Sequence, residues 1–263
     1  MTVLPDRASP TRPRAELRAL LAAVSFLTRI PVGRWLVLAG DDVARAGPAF
    51  PLVGAGIGAA VGGTSAALAQ RLSPLLAGIL GVAVGAVLTG ALHLDALADT
   101  TDALGARSRE RALEIMRDHA VGAYGAVAIA LDLLLRVGAL AALASHGHVL
   151  QAAVVAGAVS RATPVLLAAF LPYARPGGGA GASLTQRGRT RALIGGAVAL
   201  TLAAAVAGTD GIVAAAGATA VAIALGFAFR RWLGGVTGDA LGAAVEVTEV
   251  LVLVIAVALV GAG

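Results

Sequence analysis

The chain contains no cysteine, which removes disulfides, thiolate metal sites and a cysteine nucleophile. It contains no lysine either, so all 20 basic residues are arginine. So uniform a preference reads as compositional bias of the source rather than a demand for guanidinium. Aromatic residues make up 3%, too few to interleave with basic residues as a nucleic-acid surface requires. Nucleic acid is therefore not an expected partner, although the net charge is +5. Charged residues are 13% of the total, about half the roughly 25% of soluble domains. So few charges cannot cover the surface of a water-soluble domain of 263 residues.

What fills the chain instead is Ala, Val, Leu and Gly. Hydrophobic residues reach 58% and the mean hydropathy is +0.88, against about 45–50% apolar usage in soluble proteins. Lipid is the expected solvent, and the 35 glycines are expected mostly at close helix contacts. Met1–Arg18 is rich in Pro and Arg and lacks an apolar core followed by a small-residue cleavage site. It reads as a basic cytoplasmic tail on a single integral membrane domain, residues 1–263, rather than a signal peptide.

Six apolar stretches approach the length that crosses about 30 Å of hydrocarbon: Ala49–Ala69, Pro74–Leu92, Val121–Ala144, Val149–Leu171, Ala192–Ala207 and Ile212–Phe229. A seventh, Leu241–Val260, closes the chain. Glu16–Ile30 is amphipathic and ends at Pro31, as an interfacial helix would. The connections Gln70–Ser73, Ser145–His148 and Gly208–Gly211 carry a single arginine, Arg71. The others carry Arg107, Arg109, Arg111 and Arg117, then Arg175, Arg187, Arg189 and Arg191, then Arg230 and Arg231. Pairing the spans as three hairpins plus a C-terminal span puts every Arg-rich segment on one side, which the positive-inside rule makes cytoplasmic. The expectation is an all-α polytopic bundle of six to seven spans in the cell (inner) membrane, with the N-terminus and active site cytoplasmic.

Two acidic clusters sit at that side. Asp95, Asp99 and Asp102 are spaced i, i+4 and i+7, so a helix stacks them on one face. Unpaired like charges there repel, and a hard divalent cation such as Mg²⁺ would relieve them while keeping waters for substrate phosphates. The blander reading is a solvated helix end. The second cluster is Gly234-Gly235-Val236-Thr237-Gly238-Asp239, followed by Glu246 and Glu249. Its glycines can bring backbone amides to an anion, and two glutamates entering an apolar span demand a partner. Asp132 and Arg136, at i, i+4 in the third span, read mostly as a self-neutralising structural pair. Arg161, deep in the fourth span, should face a polar interior, either the acids or a substrate phosphate. His119 reads as a loop residue. Acid clusters for metal with Arg and Gly-rich loops for phosphate are what metal-assisted phosphoryl transfer uses.

In order along the chain, the blocks Phe26–Val32, Phe50–Gly54, His93–Asp102, Glu114–Asp118, Ser160-Arg161, Tyr173–Arg175, Gly234–Asp239 and Leu241–Ala243 with the two glutamates resemble the adenosylcobinamide-GDP ribazoletransferase (cobalamin synthase) family. Ala96 departs from the glycine usual there, and His119-Ala120 from a small residue followed by Arg. The resemblance implies joining of adenosylcobinamide-GDP to α-ribazole or its 5′-phosphate, with release of GMP and a requirement for Mg²⁺, at a membrane surface. On this reading Asp95, Asp99, Asp102, Asp239, Glu246 and Glu249 hold the metal. Asp99, Asp239 and Arg161 are catalytic, with Asp99 or Asp239 as general base. Arg29, Arg117, Arg175, Gly235 and Gly238 contact substrate phosphates. The competing expectations are a CDP-alcohol phosphotransferase-like lipid enzyme, whose Asp pattern this chain does not reproduce, and a secondary transporter built on Asp132, Arg136 and Arg161. A non-catalytic scaffold would leave the intramembrane acids unexplained.

Overall fold

The structure, a computed structural model, describes residues 12–34, 36–38, 40–118, 120–178, 181–185 and 189–261. These residues build helices and no strand. In chain order they are α1 (Arg12–Leu27), α2 (Gly40–Arg45), α3 (Phe50–Ala69), α4 (Pro74–Thr89), α5 (Leu92–Asp102), α6 (Arg109–Ile115), α7 (Ala123–Ser145), α8 (Val149–Phe170), α9 (Ala182–Thr185), α10 (Arg189–Leu233) and α11 (Gly238–Val260). Five are long and apolar enough to cross a membrane, and the bent pair α4 and α5 adds a sixth if counted as one span. The all-α polytopic bundle expected from composition is the one observed.

Helix α1 starts inside the stretch expected as a tail and buries Ala15, Ala19, Ala22, Ala23 and Leu27, an apolar stripe at helical spacing. Its polar side is tied down at two points. Arg18 pairs with Asp42 of α2 at 2.8 Å, and Glu16 accepts from Arg191 at the start of α10 at 2.7 Å. The remainder of the expected tail, residues 1–11, lies outside the described residues.

Glycine sets the closest contact in the bundle. Gly54, Gly58 and Gly62 follow one another by four residues on α3, and a side chain at any of them would run into the backbone of α8. Their partners are Gly157, Ala153 and the Val149–Leu150 turn. Helices that lack side chains at the contact gain dispersion by backbone approach, the small-residue device of membrane bundles. Gly56 does not take part, since a Cβ there meets nothing within 4 Å.

One span departs from its expected form. The second span stops at Thr89, giving 16 residues, about 24 Å of helix. Gly90 and Ala91 then take the left-handed conformation, with φ of +64° and +57°, and α5 leaves at 90° to α4. The fifth and sixth spans are the two arms of α10, which breaks where expected, at Gly208, with φ 55° and ψ −134°. The chain reverses there, because a side chain on Gly211 would collide with the carbonyl of Ala203. Only a helical hairpin brings those residues together, and glycine supplies the backbone angle that an L-side chain resists.

Two apolar cores result. One, at the arginine-rich end, joins α1, α3, α8, α10 and the start of α11 through residues such as Leu27, Phe50, Leu167, Phe229 and Leu241. The other, at the opposite end, joins α7, α8, α10 and α11 through Leu140, Val155, Ala214 and Val252. Between them lies a layer of charge, described below.

Candidate active site

The break between α4 and α5 is held by Arg29, just past α1. Its backbone amide donates to the Leu88 carbonyl at 2.7 Å, and its aliphatic stem lies over Gly90, where a Cβ would meet Arg29 Cδ at 2.5 Å. The sharp turn sends α5 across the bundle from α11 to α7. At the α11 side Ala96 packs on Gly242, whose lack of a side chain makes room for it. Alanine at position 96 is thus accommodated by the glycine facing it. At the α7 side Ala98 packs on Gly125.

Asp102 completes that second contact. One carboxylate oxygen accepts the Gly122 amide at 2.7 Å and the other the Gly125 amide at 2.9 Å. A side chain at either glycine would strike the carboxylate. Asp102 therefore serves as the cap of α7, satisfying amides that a helix start leaves open. Each oxygen of a carboxylate expected to hold metal thus accepts one backbone amide.

The start of α11 faces α5. Thr237 caps the helix by accepting the Ala240 amide at 3.1 Å. Asp239 stands in the first turn, where the helix dipole favours negative charge. Asp239 and Asp95 line the same recess, of about 120 Å³, together with His93, Phe26, Gly181 and Gly238. The two carboxylates are close enough to act on each other electrostatically. Asp99 lies one helical turn beyond Asp95 on α5 and is half-buried.

The loop after α8 closes over this end. Tyr173 and Val236 form an isolated parallel bridge, with the Val236 amide donating to Pro172 at 2.9 Å and the Ala174 amide donating to Val236 at 2.8 Å. Gly235 is glycine because the Pro172 carbonyl occupies the place of a side chain. The neighbouring Val236 amide donates to that same carbonyl. Arg175 donates to the Asp239 carboxylate and to the Met116 carbonyl at 3.1 Å. Arg109, a residue with no signal in the sequence beyond its place in a basic loop, donates to the Ala174 carbonyl at 3.2 Å. Its guanidinium also covers Gly234, itself at φ +73°. Arg117 is exposed beyond α6, and His119 lies outside the described residues.

Glu246 and Glu249 are elsewhere. Seven and ten residues after Asp239, they stand about 10 and 15 Å further along α11, in the layer between the two apolar cores. There Arg136 binds Asp132 at 2.9 Å, Glu246, and Glu249 at 3.2 Å. Arg161 binds Glu249 and Ser160 at 3.0 Å. The Asp132–Arg136 pair is therefore not self-contained: its arginine is shared with α11. Three acids meet two arginines, all nearly closed off from the surroundings. Buried ions persist when paired in this way. The six acids expected around one metal thus fall into two groups at different depths. Among the described residues, no three His, Cys, Asp or Glu side chains converge on a point where a metal could sit.

That leaves Asp95, Asp99 and Asp239 at the arginine-rich end, with Arg175 on Asp239 and Arg29 over Gly90 ahead of α5. Mg²⁺ is commonly held by one or two carboxylates and completed by substrate phosphates rather than by an all-protein cage. Asp95 and Asp239, which share the recess, fit that pattern, and six carboxylates on one ion do not.

Comparison with known proteins gives the arrangement a context. The family model described as cobalamin-5-phosphate synthase matches residues 19–257. The adenosylcobinamide-GDP ribazoletransferase of Klebsiella pneumoniae subsp. pneumoniae is 38% identical over 241 residues, covering 90% of this chain and 98% of that protein. The protein of that name from Syntrophobacter fumaroxidans is 41% identical over 238 residues, 88% of this chain and 94% of its own. A third, from Pseudomonas aeruginosa, is 39% identical, with 92% and 98% covered. No solved structure matches this chain.

Proposed function

This chain belongs to the cobalamin-5-phosphate synthase family, and from that premise we propose that it joins adenosylcobinamide-GDP to α-ribazole or its 5′-phosphate at the arginine-rich end of the bundle. It is a transferase of cobalamin assembly. The observation that carries the reading of the site is the convergence of Asp95 and Asp239 on one recess, with Arg175 bound to Asp239.

The reaction exchanges a phosphoanhydride bond for a phosphate ester. A ribose hydroxyl of the ribazole attacks the phosphorus that carries cobinamide. The bond from that phosphorus to the oxygen bridging it to GMP breaks, and GMP leaves with the bridging oxygen. Asp99 or Asp239 takes the hydroxyl proton. Arg29 and Arg175 bind the diphosphate and meet the charge that builds on it, while Gly238 allows close approach at the start of α11. Asp95 and Asp239 at the recess, with Asp99 on the next turn of α5, are placed to hold Mg²⁺ jointly with the substrate's phosphates; the ion would neutralise phosphate oxygens and the leaving group. Arg161 enters through its pair with Glu249 rather than by touching the phosphate, and Arg117 offers an exposed cation to the substrate's approach. The arginine distribution supports a cytoplasmic placement of this end in the inner membrane.

The test uses purified protein in detergent, where transport cannot be scored. With adenosylcobinamide-GDP, α-ribazole and Mg²⁺, the protein is expected to release GMP and form the cobalamin. Asp99→Asn should leave a folded protein without turnover. Full GMP release by that variant would remove Asp99 from the site.

A further inference from the structure

Between α8 and the two arms of the α10 hairpin lies an open groove of about 990 Å³, far larger than the recess at the candidate active site. Small residues such as Gly196 and Ala199 line it together with Leu166, Phe170 and Phe227. At its mouth stands Arg230, and Arg189 lies over the Phe170 ring at 5.3 Å from the centroid. Among the described residues, no acidic one lines it.

The depth of the groove identifies its occupant. Along α8 it runs from Val159 to Phe170, about 16 Å at 1.5 Å per residue, close to half of the roughly 30 Å hydrocarbon thickness. It is one leaflet deep, apolar along its length and cationic where the helices reach the arginine-rich surface. A second copy of the chain would need a helix face running the full span. A soluble partner would not reach the lower half. A phospholipid has the matching shape and charge, with chains one leaflet long and a phosphate at the interface. Basic pockets between transmembrane helices take anionic headgroups for the same reason.

We propose that this groove binds an anionic phospholipid of the surrounding bilayer, its acyl chains along α8 and the α10 hairpin and its phosphate between Arg189 and Arg230. The site is separate from the candidate active site, and the proposal stands whether or not that assignment holds.

The experiment uses the full-length protein, delipidated in neutral detergent and offered phosphatidylglycerol or phosphatidylcholine with identical acyl chains. Retained lipid is read by native mass spectrometry. Retention of phosphatidylglycerol is expected to exceed that of phosphatidylcholine by roughly tenfold or more, from two arginines at the interface. The double variant Arg189→Gln/Arg230→Gln should bring the two lipids level, and Gly196→Leu, which fills the groove, should lower both. Equal retention by the unaltered protein overturns the proposal, as does a preference that survives the double variant. A phosphatidylglycerol carrying a photoreactive acyl chain gives a second reading that needs no variant. Cross-links to Leu166 and Phe227 support the site. Cross-links confined to other helices overturn it.

Discussion

Arg161 of α8 and Glu249 of α11 form a buried ion pair between the two apolar cores, where Glu249 also receives Arg136 of α7. Three helices are thus fastened at one level by charge. Removing one partner of a buried pair leaves the other uncompensated, at a cost of about 3–5 kcal/mol. Arg161→Met or Glu249→Met alone should lower stability by that order in denaturant titrations in detergent. The double variant should lose clearly less than the sum, with the difference measuring the coupling. Additive losses would mean that the pair contributes nothing as a pair.

Asp102 and Asp95 lie on the same helix face, and Mg²⁺ dependence separates the helix cap from the proposed metal ligand. Asp102→Ala removes the cap of α7 and should cost about 0.5–2 kcal/mol of stability, whereas Asp102→Asn keeps one acceptor and should lose less. In neither variant should the Mg²⁺ concentration for half-maximal GMP release change. Asp95→Asn should raise that concentration and leave stability unaltered. A raised requirement in Asp102→Asn would return that residue to the metal site.

Gly58 and Gly56 are two positions apart and give opposite expectations. Gly58→Ala drives a methyl into the Ala153 carbonyl of α8 and should destabilise by about 1–3 kcal/mol, as overpacking does. Gly56→Ala points into open space and should stay within about 0.5 kcal/mol of the unaltered protein. Thermal unfolding in detergent reads both.

Glu16 gives a pH-dependent expectation. The hydrogen bond from Arg191 holds its carboxyl below the ordinary glutamate value. A depressed carboxyl contributes stability above its unfolded pKa and loses that contribution as pH falls through its folded value. The unaltered protein should therefore exceed Glu16→Gln in stability at neutral pH and converge with it below the usual glutamate range. The pair is largely exposed, so the difference should be only about 0.2–1 kcal/mol. A gap that persists in acid would assign the effect to packing.

The sequence and the structure agree where the physics is local. Lengths of apolar run marked α3, α7, α8 and α11 to within a few residues, because a span must satisfy its own backbone in lipid and so must be helical. The turn at Gly208 was legible as a short polar gap. The break at Gly90–Ala91 was not, since neither residue forbids a helix and the left-handed turn depends on Arg29 arriving from α1. Asp95, Asp99 and Asp102 were legible as one face of one helix. That Asp102 would be consumed by α7 was not, because the amides it caps come from a segment 20 residues away.

The carboxylates mark the division most clearly. Composition and arginine placement determined by themselves that this is a helical membrane bundle with its basic connections on one side. Spacing along the chain determined which acids share a helix face. Only the tertiary structure decided how those acids are spent. Asp95 and Asp239 meet at a recess, Asp102 caps a helix, and Glu246 and Glu249 are neutralised by Arg136 and Arg161 between the cores. The reason is that a buried charge is stable only beside its partner. Partners drawn from other helices have no fixed distance in sequence, and only packing brings them together.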